Sequence, residues 1–90
     1  MSAALELTRQ LIRLASVTPN DAGCQQLVSE RLHGAGFQTE TLQFRDVTNL
    51  WARHGVAKPL FVFLGHTDVV PTGPVEEWTN DPFDPVIRNG

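Results

Sequence analysis

The apolar positions along the chain predict two amphipathic helices before any other element. The first is expected over 3–15, where apolar residues recur at helical spacing. It should end near Ser16, because Pro19 disfavours helical backbone at the residue before it. The second should be capped by Asn20 or Asp21, whose side chains can accept hydrogen bonds from free helical N–H groups. It should close at 34–36, where one glycine is expected in the left-handed conformation.

The second half of the pattern predicts strands. Residues 60–64 form an unbroken apolar run between Pro59 and Gly65, which is typical of a strand buried on both faces. Residues 37–44 alternate imperfectly, which predicts a bulge or two short pieces. A short strand at 50–53 should pair antiparallel with the apolar run, because the six residues between them are too few for a crossover. We therefore expect an α/β fold with a mixed sheet, in the order helix, helix, strand, hairpin, loop.

The C-terminal third predicts an ordered loop and an unfinished strand. Residues 72–85 are rich in proline and include two aromatic anchors, Trp78 and Phe83. Residues 86–88 have strand character and lead into Asn89-Gly90 at the end of the chain. Asn-Gly is a strong hairpin signal, yet no partner strand follows it. We expect the 90 residues to be incomplete at the C-terminus.

The composition and net charge of the chain exclude several classes of function. The chain is 41% hydrophobic and 19% charged, as in ordinary globular domains rather than disordered ones. Its net charge of −3 gives no basic surface for nucleic acid or an anionic membrane. The single cysteine, Cys24, excludes an internal disulfide and suits a reducing compartment. We expect no signal peptide, and no apolar run approaches the roughly 20 residues that span a bilayer, so a cytoplasmic location is expected.

The candidate chemistry lies directly after the predicted buried strand. His66 and Asp68 are two positions apart, so in extended backbone their side chains point to the same side. A carboxylate beside a neutral imidazole fixes its tautomer and raises its basicity, as it does behind metal-bound histidines. The alternative is a histidine and an aspartate that only cap a loop.

The surrounding segments extend this motif into a family resemblance. GHTDVVPTG at 65–73 resembles the first zinc-ligand motif of the M20 family of dinuclear zinc amidohydrolases and peptidases. The resemblance covers essentially the whole chain through DAGCQ at 21–25, GF at 36–37, NLWA at 49–52 and W-x-x-x-P-F-x-P-x-I-x-N-G at 78–90. Within the family these segments favour the enzymes that remove a succinyl group from diaminopimelate. Acetylornithine deacetylases are the alternative, because the H-T-D motif and the W-x-x-x-P-F loop are shared widely.

The resemblance implies roles for the site residues. His66 would be a zinc ligand, and Asp68 the catalytic-site residue that orients and polarises it. The complete enzyme would hold two zinc ions per subunit, with cobalt able to replace them. Residues 1–90 would be the N-terminal portion of the catalytic domain, with the bridging aspartate, the general base and the other ligands beyond Gly90. We therefore expect the chain alone to be inactive.

The resemblance also implies a reaction and partners. The complete enzyme would be a homodimer with a separate dimerisation domain. It would hydrolyse a small succinylated amino acid, N-succinyl-LL-2,6-diaminopimelate, to succinate and LL-2,6-diaminopimelate in lysine biosynthesis, with no nucleic-acid or membrane partner. A hypothesis of a different class is that the chain is a small α/β binding domain without catalysis.

Overall fold

The computed structural model describes residues 2–90, which form two helices and one β-hairpin. The α/β class is thus confirmed. The sheet of the described residues has two antiparallel strands. Parallel pairing occurs outside this sheet, in an isolated bridge between Val17 and Val69. No helix in residues 2–90 is both long and apolar enough to cross a membrane. The elements are α1 (Ala3–Ile12), α2 (Cys24–Gly34), β1 (Gln38–Phe44), β2 (Val47–Arg53) and a 3₁₀ turn (Val75–Glu77).

Helix α1 begins at a serine cap and ends earlier than predicted. The hydroxyl oxygen of Ser2 accepts a hydrogen bond from the N–H of Leu5 at 3.0 Å. At the other end, the N–H of Leu14 donates to the carbonyl of Leu11 rather than one residue further back, which tightens the last turn. The helix therefore stops at Ile12, and the chain continues into the loop that contains Ser16.

Helix α2 is capped by the carboxylate of Asp21 although it starts only at Cys24. The Asp21 carboxylate accepts hydrogen bonds from the N–H groups of Gly23 and Gln25, both at 3.2 Å. Gly23 adopts a left-handed φ of 89°, which brings the chain from Asp21 into the first helical turn. Cys24, the first residue of the helix, is fully buried.

The end of α2 is a Schellman motif, and it fixes the start of the hairpin. The N–H of Gly36 donates to the carbonyl of His33, and the N–H of Phe37 donates to the carbonyl of Leu32, each at 3.0 Å. Gly36 has φ 93°, so the predicted left-handed glycine is confirmed. The ring of Phe37 then packs against that of His54 with centroids 5.1 Å apart.

The hairpin pairs residue for residue, so the predicted bulge is wrong. Each residue from Gln38 to Phe44 has one partner from Arg53 back to Val47. A two-residue turn joins the strands, and its Arg45 adopts a left-handed φ of 57°, which sets the register without an extra residue. Phe44 and Val47 remain 64% and 44% exposed. Because this end of the hairpin is exposed, the imperfect alternation does not force a shift of register.

The apolar run at 60–64 is not a buried strand in this chain. It has no regular secondary structure, and its side chains are 62–98% exposed. The rings of Phe61 and Phe63 contact each other at 5.1 Å. The prediction fails because β2 pairs with β1, so within residues 2–90 no strand or helix covers the run. The expected pairing of 50–53 with 60–64 and the strand at 86–88 are also wrong.

The loop after the apolar run is held by side-chain contacts, as predicted. The indole N–H of Trp78 donates to the carbonyl of Thr72 at 3.0 Å and closes the loop around the 3₁₀ turn. The amide of Asn80 donates to the carbonyl of Asp84 at 3.0 Å and closes the next turn. These contacts bring Phe83 towards the end of α1.

Candidate metal centre

His66 and Asp68 are in direct contact. The Nδ1 atom of His66 lies 3.0 Å from Oδ1 of Asp68 and 3.1 Å from the Asp68 backbone carbonyl oxygen. The sequence-based prediction that the two side chains share one side is therefore confirmed. Both side chains remain accessible, at 80% and 46% exposure, so solvent reaches the pair.

The atoms around Nδ1 determine the tautomer of neutral His66. A carboxylate oxygen and a carbonyl oxygen can only accept hydrogen bonds, so Nδ1 must carry the proton and donate it. The lone pair then lies on Nε2 at the outer edge of an exposed ring. This is the arrangement of metal-bound histidines, whose second ring nitrogen donates to a carboxylate or a carbonyl. The chemistry of the pair therefore fits a metal ligand.

The second carboxylate oxygen of Asp68 is held by Thr18. The Thr18 hydroxyl donates to Oδ2 of Asp68 at 2.6 Å, a short distance typical of a hydroxyl bonded to an ionised carboxylate. This hydrogen bond is the main reason that the pKa of Asp68 lies below its ordinary value. Partial desolvation acts in the opposite direction, and the neighbouring His66 lowers the pKa further. Asp68 is therefore ionised near neutral pH.

The loop after α1 holds the backbone on both sides of Asp68. The N–H of Val69 donates to the carbonyl of Ser16, and the N–H of Thr18 donates to the carbonyl of Val69, each at 3.0 Å. These bonds form an isolated parallel bridge between Val17 and Val69. The hydroxyl of Ser16, which is only 3% exposed, donates to the carbonyl of Thr67 at 2.8 Å.

Sequence reasoning missed this loop as part of the site. Residues 16–19 were expected only to stop the first helix, although Ser16 and Thr18 are hydroxyl residues that can reach backbone or carboxylate acceptors. Thr18 and Asp68 are 50 residues apart in the chain, so no local pattern connects them. The hydroxyl groups of Ser16 and Thr18 were the available signal, but the sequence did not indicate which residues they would bond.

An apolar cleft opens beside His66. Its volume is about 280 Å³, and it lies between the end of α1 and the C-terminal loop. Leu11 and Ile12 line it on the helix side, and Phe83 lines it on the loop side. His66 is thus one of the residues that line a small apolar depression.

The described residues do not form a complete metal site. Within residues 2–90, no group of three or more His, Cys, Asp or Glu side chains is placed to hold a metal ion. His33 lies on α2, and His54 packs against Phe37 at the start of the hairpin. Catalytic zinc sites normally use three protein ligands. The site described here therefore offers one histidine, supported by one carboxylate.

Comparison with known proteins matches the sequence of this chain to that of one enzyme. The matching proteins from Thioalkalivibrio sulfidiphilus, Stenotrophomonas maltophilia and Methylococcus capsulatus are 61%, 62% and 62% identical over all 90 residues. Each is a succinyl-diaminopimelate desuccinylase. This chain is similar to succinyl-diaminopimelate desuccinylases along its whole length. No protein-family model matches it.

The similarity to succinyl-diaminopimelate desuccinylases confirms the resemblance found in the sequence. It covers 100% of this chain but 24% of each relative, so the chain spans about a quarter of the length of the curated relatives it matches. The zinc role of His66 and the orienting role of Asp68 stay predictions. Both residues lie within the segment that the desuccinylases share with this chain.

Proposed function

We propose that this chain is the part of a succinyl-diaminopimelate desuccinylase that supplies His66 as a zinc ligand and Asp68 as its orienting carboxylate. The observation that carries the proposal is the 3.0 Å contact between Nδ1 of His66 and Oδ1 of Asp68. The surrounding sequence links this contact to a desuccinylase, because it is 61% identical to one over 90 residues. The contact leaves Nε2 of His66 free, as a zinc ligand requires.

The proposed reaction of the complete enzyme is hydrolysis of an amide. The C–N bond of N-succinyl-LL-2,6-diaminopimelate breaks, the hydroxyl of water joins the succinyl carbonyl carbon, and the amine nitrogen takes the remaining proton. Bound zinc lowers the pKa of a coordinated water and polarises a carbonyl, which is the chemistry this step needs. The product acid is succinate, and the product amine is LL-2,6-diaminopimelate.

The chain's own residues prepare the ligand for this chemistry. Asp68 accepts a hydrogen bond from the Nδ1–H group of His66, and this directs the lone pair of Nε2 outward. The bridge between Val17 and Val69 holds the backbone that carries both side chains. Ligand orientation is therefore the contribution of this chain to catalysis.

The remaining features of the proposal rest on the family resemblance. They are two zinc ions per subunit with cobalt as a substitute, a homodimer with a separate dimerisation domain, and a cytoplasmic location. The bridging aspartate and the general base would come from segments beyond residues 1–90, which would then be the N-terminal portion of the catalytic domain. A succinylated amino acid is the proposed small-molecule partner.

A pair of chimeras tests the proposal. In the first, this chain replaces the matching segment of the Methylococcus capsulatus desuccinylase. In the second, it replaces the corresponding segment of an acetylornithine deacetylase. We expect hydrolysis of N-succinyl-LL-2,6-diaminopimelate by the first chimera and little hydrolysis of N-acetylornithine by the second. The reverse result would assign the chain to the deacetylases, and two folded but inactive chimeras would favour a binding domain.

A further inference from the structure

Three side chains form a continuous hydrogen-bonded series that ends at the candidate zinc ligand. The hydroxyl of Thr18 donates to Oδ2 of Asp68 at 2.6 Å, and Oδ1 of Asp68 accepts from Nδ1 of His66 at 3.0 Å. Each carboxylate oxygen of Asp68 has a different partner: Thr18 on the loop after α1, and His66 two residues before Asp68. Thr18 therefore contacts the carboxylate on the side opposite the imidazole.

We propose that Thr18 is a positioning residue that sets the orientation of His66 through Asp68. This proposal deepens the proposed desuccinylase function and rests on it for its catalytic consequence. A carboxylate bonded only to the imidazole could rotate about its side-chain torsions together with the ring. A second bond, made from a separate loop, removes that freedom.

Thr18 is itself well fixed. Its backbone N–H donates to the carbonyl of Val69 at 3.0 Å, so the residue belongs to the parallel bridge. Threonine is branched at Cβ, and its χ1 torsion is therefore restricted. The hydroxyl oxygen also lies 3.2 Å from the Val69 carbonyl, but it has a single proton, and the shorter contact goes to the charged Asp68.

The positioning role can be separated from loop stability. The bridge uses backbone groups of Thr18 and Val69 and the carbonyl of Ser16, none of which depends on the Thr18 hydroxyl. Thr18→Val keeps the shape and the β-branch and removes only the donor. Thr18→Ser keeps the donor and serves as the rescuing variant. Thr41→Val, at an exposed position on β1, is the matched control.

The first test is the tautomer of His66, read from ring ¹⁵N chemical shifts of the labelled chain at alkaline pH, where imidazole is neutral. We expect wild type, Thr18→Ser and Thr41→Val to show mainly the Nδ1–H form. Thr18→Val should shift His66 towards a mixture of the two tautomers. A Thr18→Val chain with an unchanged backbone spectrum and an unchanged tautomer would overturn the proposal.

The second test measures catalysis in the desuccinylase chimera. Partners of metal ligands typically contribute 10–100-fold to metal affinity or activity, so Thr18→Val should lower kcat by about tenfold with KM nearly unchanged. Thr18→Ser should restore most of the loss, and Thr41→Val should cause none. Equal kcat for Thr18→Val and wild type would remove the catalytic consequence. An inactive wild-type chimera would instead refute the proposed function, while the tautomer measurement still decides the role of Thr18.

Discussion

The hydroxyl oxygen of Thr18 lies 2.6 Å from Oδ2 of Asp68, although the two residues are 50 positions apart in the chain. This contact joins the loop after α1 to the segment that carries His66. Together with the bridge between Val17 and Val69, it makes the loop a support for the candidate ligand rather than a simple helix stop.

Asp68 should titrate below the ordinary aspartate range. Because its folded-state pKa is lowered, chiefly by the Thr18 hydrogen bond, its contribution to stability is present above the unfolded-state pKa. That contribution is lost as the pH falls through the folded-state pKa. Carboxyl ¹³C shifts measured against pH should show the lowered pKa, and Thr18→Val should raise it. An Asp68 pKa at or above that of the unfolded chain, or one insensitive to Thr18→Val, would contradict this account.

Loss of the Asp68 carboxylate should affect turnover more than metal content. Asp68→Ala in the desuccinylase chimera leaves Nδ1 of His66 without its charged acceptor, so kcat should fall by about 10–100-fold while zinc is largely retained. Asp68→Asn, which keeps an oxygen acceptor but not the charge, should lose less. Asp84→Ala, at an exposed loop position, is the control. A kcat for Asp68→Ala close to that of wild type would show that Asp68 only caps a loop.

The exposed run at 60–64 should make the isolated chain associate with itself. Five consecutive apolar residues without a charge, 62–98% exposed, have the composition of segments that pair between chains. Light scattering should show mass increasing with concentration, and Phe63→Lys should reduce the increase. Phe44→Lys changes another exposed phenylalanine and should reduce it less. A wild-type chain that stays monomeric at high concentration would show that the run at 60–64 does not cause self-association.

Local features of this chain were predictable because their causes lie within a few residues. The apolar periodicity predicted α1 and α2, and the end of α2 was predicted to need one left-handed glycine, Gly34 or Gly36, which is Gly36 in the structure. The shared side of His66 and Asp68 followed from their two-residue spacing. The core of the candidate site was therefore readable from the sequence.

Features that depend on distant partners were not predictable in the same way. The run at 60–64 has the composition of a buried strand, but burial also requires a neighbouring strand or helix, and β2 pairs with β1 instead. The hairpin register depends on Arg45 adopting a left-handed conformation, which an arginine in the sequence does not predict. The bond between Thr18 and Asp68 connects two loops whose approach no local pattern encodes.

The most direct test of the central claim is His66→Ala in the desuccinylase chimera, with zinc content and hydrolysis of N-succinyl-LL-2,6-diaminopimelate measured on the same preparation. His33→Ala, which removes an exposed histidine on α2, is the matched control. If His66 is a zinc ligand, His66→Ala should lose one zinc ion per subunit and most activity without unfolding, and His33→Ala should match wild type. A folded His66→Ala chimera with its full zinc content and full activity would contradict the assignment.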